Sequence, residues 1–162
     1  MRNCFEKNDF DGLDVFLAYF QNTMLQMRDS KLPVIAAPVG MSIGGGFEVV
    51  LHADHVVSHA NSVMGLVESF VGVVPAGGGC KEMLYRWIEK LDDTQKGSWK
   101  SFMNIGLGRK ANSPQEADTL SMRRSSDMFQ MNRDRILNVA LSSLDDTKKA
   151  SKRKPLALSG AE

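Results

Sequence analysis

Apolar residues recur at spacings of three and four along residues 10–29, at Leu13, Phe16, Leu17, Phe20, Met24 and Met27, and predict an amphipathic helix whose Met and Phe stripe packs into the core. The pattern changes at LPVIAAPVG, residues 32–40, a β-branched apolar run bounded by Pro33 and Gly40 that reads as one buried strand. Gly44, Gly45 and Gly46 break it, and helical spacing resumes from Phe47 to Ala53. HVVSHA (55–60) reads as a strand, NSVMG as a turn into a short extended piece, and LVESFVGVVP ends at Pro75 before a second glycine cluster, residues 77–79. That cluster opens a helix whose inner face is expected to be Met83, Leu84, Trp87, Ile88 and Leu91. Further helices are expected over 94–107 and 113–120, the second with Ser113 and Glu116 spaced as a capping box. A last long helix should start at Asn132 and repeat Ile136, Leu137, Ala140, Leu141 and Leu144 on one face. The expected class is α/β, mixed in the first half and helical in the second.

Length and charge narrow the function. A chain of 162 residues with 43% hydrophobic residues fits one globular domain, and a formal net charge of +1 gives no overall basic field for nucleic acid. No run reaches the roughly eighteen apolar residues of a membrane helix. Two cysteines, Cys4 and Cys80, make no disulfide framework, and no basic-then-apolar leader follows Met1, so a reducing cytoplasm is the expected location. The tail holds Lys148, Lys149, Lys152, Arg153 and Lys154, read as a solvated, fraying end. The informative feature is local: nine of the fourteen glycines lie between Gly40 and Gly79, and between Lys31 and Lys81 the charged residues are Glu48, Asp54 and Glu68 alone.

Several chemistries compete for this segment. Gly40-Met41-Ser42-Ile43-Gly44 matches the G-x-S-x-G nucleophile elbow, which would make Ser42 a hydrolase nucleophile, but no histidine follows His59 to complete a triad in that order. His52, His55 and His59 straddle an expected helix-to-strand change that points their rings apart, so no metal site is expected. Asp54 reads as structural. G-x-G-x-x-G fails at both glycine clusters, since the third position is Val49 in one and Glu82 in the other, which removes a dinucleotide site. A glycine turn into a helix does expose unpaired N–H groups at the positive end of the helix dipole, a setting for an oxyanion. Glu48 sits on the first turn of that helix and Glu68 among apolar neighbours, so the two can divide acid and base roles; the alternative is that both are merely charged, or that Glu48 only favours the dipole.

The segment from Pro33 to Leu84 resembles the crotonase, or enoyl-CoA hydratase/isomerase, superfamily. The resemblance rests on P-V-I-A-A, then G-x-x-x-G-G-G-x-E, the A-D ending the helix, M-G-L-x-E, and V-P-A-G-G-G before a helix. It extends over about residues 10–145 and implies a crotonase-like (ClpP/crotonase) spiral α/β fold with C-terminal helices. It implies that the Gly45 N–H, in the turn with Gly44, is an oxyanion donor to the thioester carbonyl of an acyl-CoA, and that Glu48 and Glu68 hold water and move the α-proton. Ala76 stands at a position usually glycine, whose N–H helps seat the water. Val67 replaces a frequent proline. VVPAGGGCKEM is most similar to the hydratase-like portion of long bacterial 3-hydroxyacyl-CoA dehydrogenase proteins of fatty acid β-oxidation.

MRNCFEKND holds no small-residue A-G or V-G run of the kind that supplies the family's other oxyanion amide, and the family's early strands are missing. The chain therefore reads as a partial spiral core over 1–104, a helical region over 105–150 and a basic tail over 151–162, cut at both ends from such a parent. The expected function is hydration of trans-2-enoyl-CoA, impaired by truncation. The alternatives are an inactive remnant binding acyl-CoA or a protein partner, and, further off, the Ser42 hydrolase. The resemblance implies no cofactor beyond the CoA carried by the substrate, no metal, and a homo-oligomer, a trimer or dimer of trimers; charge and run length lead to no expected nucleic-acid partner or membrane span.

Overall fold

The computed structural model describes residues 6–149 and 156. Helix α1 spans Phe10–Asp29, its first turn capped by the Asp9 carboxylate, which accepts from the Gly12 N–H. Of its apolar stripe only Met24 is buried; Phe10, Val15, Phe16 and Tyr19 are exposed, so the helix lies on the body instead of entering it. The run 32–40, expected as one strand, is divided. Strand β1 is only Ile35–Ala36, because Pro38 and the left-handed Gly40 (φ 97°) turn the chain into a separate strand β2, Met41–Ile43.

Helix α2 (Gly45–His52), strand β3 (His55–His59) and strand β4 (Val63–Gly65) follow where the periodicity places them. A 3-10 turn, Glu68–Val71, leads to helices α3 (Gly79–Leu91) and α4 (Thr94–Gly106). The second half is less helical than expected. It adds strand β5 (Lys110–Ala111), helix α5 (Pro114–Thr119), strand β6 (Met128–Gln130) and, after a 3-10 turn over Arg133–Arg135, a short helix α6 (Ile136–Ser142) in place of one long helix from Asn132. Ser113 accepts from the Glu116 N–H as a capping box requires, but the Glu116 carboxylate returns to the Asn112 N–H. Lys152, Arg153, Lys154 and the rest of the expected tail except Leu156 lie outside the described residues, as does Cys4.

Two three-stranded sheets result. One runs β1-β3-β6, all parallel, and the other β2-β4-β5, with β2 parallel and β5 antiparallel to β4. Helix α2 bridges them, burying Phe47, Val50 and Leu51 against Val56, Met64, Leu66, Met83 and Trp87. A smaller cluster joins Val57 to Ile136 and Ala140. Asp54 is structural, as expected: its carboxylate, 1% exposed, accepts from the Val34 N–H at 2.8 Å and pairs with Lys149 at 2.9 Å, tying β1 to the end of the described chain. Among the described residues no helix is long and apolar enough to cross a membrane.

Candidate active site

Strand β2 carries the chain to the glycine cluster, and Gly44 (φ 56°) turns it into α2. The Gly44 N–H is used by the Gly65 carbonyl at 2.9 Å, and the Gly44 carbonyl accepts from the N–H groups of Phe47 and Glu48. Gly44 is thus a pivot rather than a donor to a ligand. Gly45 occupies the first helical position, where an amide has no intrahelical acceptor. A Cβ at Gly45 would stand 3.6 Å from the Phe20 ring and 4.0 Å from Glu48 Oε2, so the start of α2, the glutamate and α1 share one space.

Glu48 is 2% exposed. Its Oε1 accepts from the Gly79 N–H at 2.8 Å, so the second glycine cluster closes over the first. Burial pushes the Glu48 carboxyl up from the ordinary carboxylate range; the Gly79 amide opposes this, the charge of Glu68 adds to it, and the Gly77 amide opposes it again. This close approach explains two glycines. A Cβ at Gly77 would clash with Phe20 and lie 2.9 Å from Glu48 Oε2, and one at Gly79 would lie 2.9 Å from Oε1. Ala76, between Pro75 and this turn, has its carbonyl held by the Gln21 side-chain amide of α1 at 2.7 Å.

Glu68 begins the 3-10 turn and is half-buried. Its Oε2 is buried without a hydrogen-bond partner, and its Oε1 approaches Gly44, standing 3.5 Å from where a Cβ would be. Burial raises its carboxyl, against its own amide and that of Val67. The thiol of Cys80, next to the donor amide of Gly79, is pushed up by burial and then by the charges of both glutamates. Glu48, Glu68, Gly44, Gly45 and the Gly77–Gly79 turn therefore face one another: two carboxyls of raised proton affinity, Glu48 held by the Gly79 amide and Glu68 with one buried oxygen, Oε2, lacking a hydrogen-bond partner.

Other candidates are placed elsewhere. Ser42 lies in the middle of β2 opposite Met64, two residues short of the glycine turn, whereas a nucleophile elbow needs the serine at the turn itself. The histidines diverge: His52 Nδ1 meets the Glu48 carbonyl, His55 Nδ1 is 3.7 Å from Asp127, and His59 Nε2 meets the Met131 carbonyl. Among the described residues no three His, Cys, Asp or Glu side chains are grouped to hold a metal. Two cavities, each about 700 Å³, lie away from the glutamates. One is lined by Arg86, Lys90, Asp118 and Arg123, the other by Leu91, Trp99 and Phe102.

Sequence reasoning missed two buried charges on α3. Glu82 is 1% exposed and pairs with Arg28 of α1; Arg86 donates to the carbonyls of Leu51 and Met122. Only the polar positions 82 and 86, one turn apart beside Met83 and Trp87, hinted at this.

The enoyl-CoA hydratase/isomerase family profile matches residues 7–91. A Bacillus subtilis protein named "Probable 3-hydroxyacyl-CoA dehydrogenase" is 35% identical over 132 residues, 82% of this chain and 17% of that protein. The crystal structure of an enoyl-CoA hydratase from Bacillus anthracis matches with a TM-score of 0.68 at 24% identity, over 85% of this chain and 48% of that one. An enoyl-CoA hydratase from Thermoplasma volcanium matches with a TM-score of 0.71 at 21% identity, over 90% and 53%. The chain thus spans about half the length of these solved structures and a sixth of the Bacillus subtilis relative.

Proposed function

Given that the chain belongs to the enoyl-CoA hydratase/isomerase family, with the crotonase fold, we propose that its glycine-bounded glutamate pair acts on an acyl-CoA thioester in fatty acid oxidation, adding water to a trans-2-enoyl-CoA. The observation that carries this reading is the unequal treatment of the two carboxyls. Glu48 accepts from the Gly79 amide, and the Gly77 amide also lowers its proton affinity, which favours the carboxylate; Glu68 keeps one buried oxygen with no donor, which favours the protonated acid. Two such groups share one proton, as water addition requires.

In this mechanism the Gly45 N–H polarises the thioester carbonyl, drawing charge from C3. Glu48 takes a proton from water as the oxygen bonds to C3, and Glu68 delivers its proton to C2. The product is a 3-hydroxyacyl-CoA; the pair holds one proton throughout, and transfer of that proton from Glu48 to Glu68 resets the site. Water, two carboxyls and an amide balance the reaction, so the reading calls for no metal or redox cofactor beyond the CoA of the substrate. A homo-oligomer accompanies it, supported by the exposed Phe10, Val15, Phe16 and Tyr19 of α1 and Leu137 and Leu141 of α6.

Hydration of crotonyl-CoA, followed as loss of the enoyl-thioester absorbance, tests the proposal. Turnover above buffer that falls on the order of 10²–10⁴-fold in Glu68→Gln supports it. No turnover above buffer, or equal rates in wild type and Glu68→Gln, contradicts it.

A further inference from the structure

His52 is 3% exposed and plays no part in the chemistry above, yet it touches both halves of the glutamate site. At the last residue of α2, its Nδ1 lies 2.7 Å from the main-chain carbonyl of Glu48, one turn earlier. A carbonyl only accepts, so Nδ1 carries the proton and Nε2 keeps a lone pair. Nε2 is buried and has no hydrogen-bond partner. It faces Gly78, where φ is 105° and a Cβ would stand 3.0 Å from Nε2 and 3.1 Å from Cε1. Gly78 lies between Gly77 and Gly79, whose amides reach the Glu48 carboxylate.

We propose that His52 is a positioning residue: anchored at the Glu48 carbonyl and wedged under Gly78, it sets the height of the glycine turn whose amides hold the Glu48 side chain. The ring spans the main chain of Glu48 and the donors of its carboxylate, so the donor distance is fixed against the backbone of the residue it serves. Glycine at 78 is required twice, by the left-handed backbone and by the ring beneath it.

The charged neighbours agree with a neutral ring. Glu82 Oε1 of α3 is 3.9 Å from Nε2 but is held by Arg28 of α1, with Lys81 3.8 Å away. Burial lowers the proton affinity of His52 first; the Glu48 carbonyl and Glu82 oppose that, and Lys81 and Arg28 reinforce it. A protonated Nε2 would turn toward Glu82 and pull away from Gly78.

The importance of the turn rests on the reading of Glu48 as the water-holding carboxylate, but the test does not need turnover. The titration of Glu48, read from side-chain carboxyl 13C shifts in the full chain, is compared in wild type, His52→Leu and His52→Asn. Leucine keeps bulk without a donor; asparagine keeps a donor where Nδ1 stands. The expected result is a Glu48 midpoint raised in His52→Leu by about one unit, the order of losing one donor to a charged group, with a smaller rise in His52→Asn. An unchanged midpoint in His52→Leu, or equal midpoints in the two variants, overturns the proposal. If His52→Leu does not fold, imidazole 15N shifts of the wild type decide: a proton on Nδ1 supports the anchor and one on Nε2 refutes it. Absence of hydration by the wild type, with the Glu48 midpoints shifting as expected, would count against the proposed reaction alone.

Discussion

Replacing Gly79 with alanine puts one methyl group into the contact between the two glycine clusters. The backbone offers no resistance, because Gly79 is not among the left-handed glycines and opens α3. Space is what opposes the change. The new carbon would lie 2.9 Å from Glu48 Oε1, 3.0 Å from Glu48 Cγ and 3.0 Å from Leu66 Cδ2, against about 3.5–4.0 Å for a comfortable contact of carbon atoms. Glu48 and Leu66 are each 2% exposed, so neither has solvent to move into. Overpacking of this kind costs about 1–3 kcal/mol, offset by about 0.5–1 kcal/mol from replacing glycine in a helix. Taking the centre of each range, the expected net loss is about 1 kcal/mol, or roughly 2–4 °C in Tm for a chain of this size. Gly46→Ala is the internal control: nothing lies within 4 Å of its Cβ position, so the helix gain should appear alone, as an unchanged or slightly raised Tm. Thermal unfolding of both variants by circular dichroism is the assay. A Gly79→Ala protein as stable as wild type would refute the close approach of Glu48 to the second cluster.

Other consequences follow from the same contacts. Glu48 and Glu68 are both raised from about 4.5, so the folded chain holds more protons than the unfolded one above that pH; their contribution is fully present below about pH 4.5 and is lost as pH rises through the raised values. Urea unfolding from pH 4 to 8 should therefore show a smaller fall in stability for Glu48→Gln and Glu68→Gln than for wild type. Asp54→Ala strands the half-buried Val34 N–H and removes the charged partner of Lys149, so the urea midpoint should drop by an amount worth about 1–3 kcal/mol with an unchanged slope. Ser42, in mid-strand, should carry no ester hydrolysis: p-nitrophenyl acetate cleavage is expected to be the same in wild type and Ser42→Ala.

The glycine turns and the glutamates were legible in the sequence because their signals are local. Gly44 to Glu48 is five residues, and Ser113 with Glu116 marks a helix start on its own. Helices α1, α3 and α4 were legible as well, since thirteen to twenty residues hold enough turns for periodicity to show. What failed depends on distant partners. Leu91 was assigned to the inner face of α3 but is exposed, while Glu82 and Arg86 are buried there, because their partners Arg28, Leu51 and Met122 lie 35 to 54 positions away. Strands β5 and β6 have two and three residues, too few for an alternation to register. The stripe of α1 predicts a core face, yet Phe16 remains exposed because amphipathicity says which face is apolar and not what covers it. The clamp between Glu48 and Gly79 spans 31 positions and has no local signature; the resemblance named both residues' motifs but not their contact.

The central claim is that Glu48 activates water while Glu68 delivers a proton to C2. Crotonyl-CoA incubated with the chain in deuterium oxide, with the product weighed by mass spectrometry, tests it directly. The expected product is 3-hydroxybutyryl-CoA carrying one carbon-bound deuterium, formed by wild type above the buffer rate and falling toward that rate in both Glu48→Gln and Glu68→Gln. Hydrated product formed equally by wild type and the Glu68→Gln chain, or none formed above buffer by any of them, would contradict it.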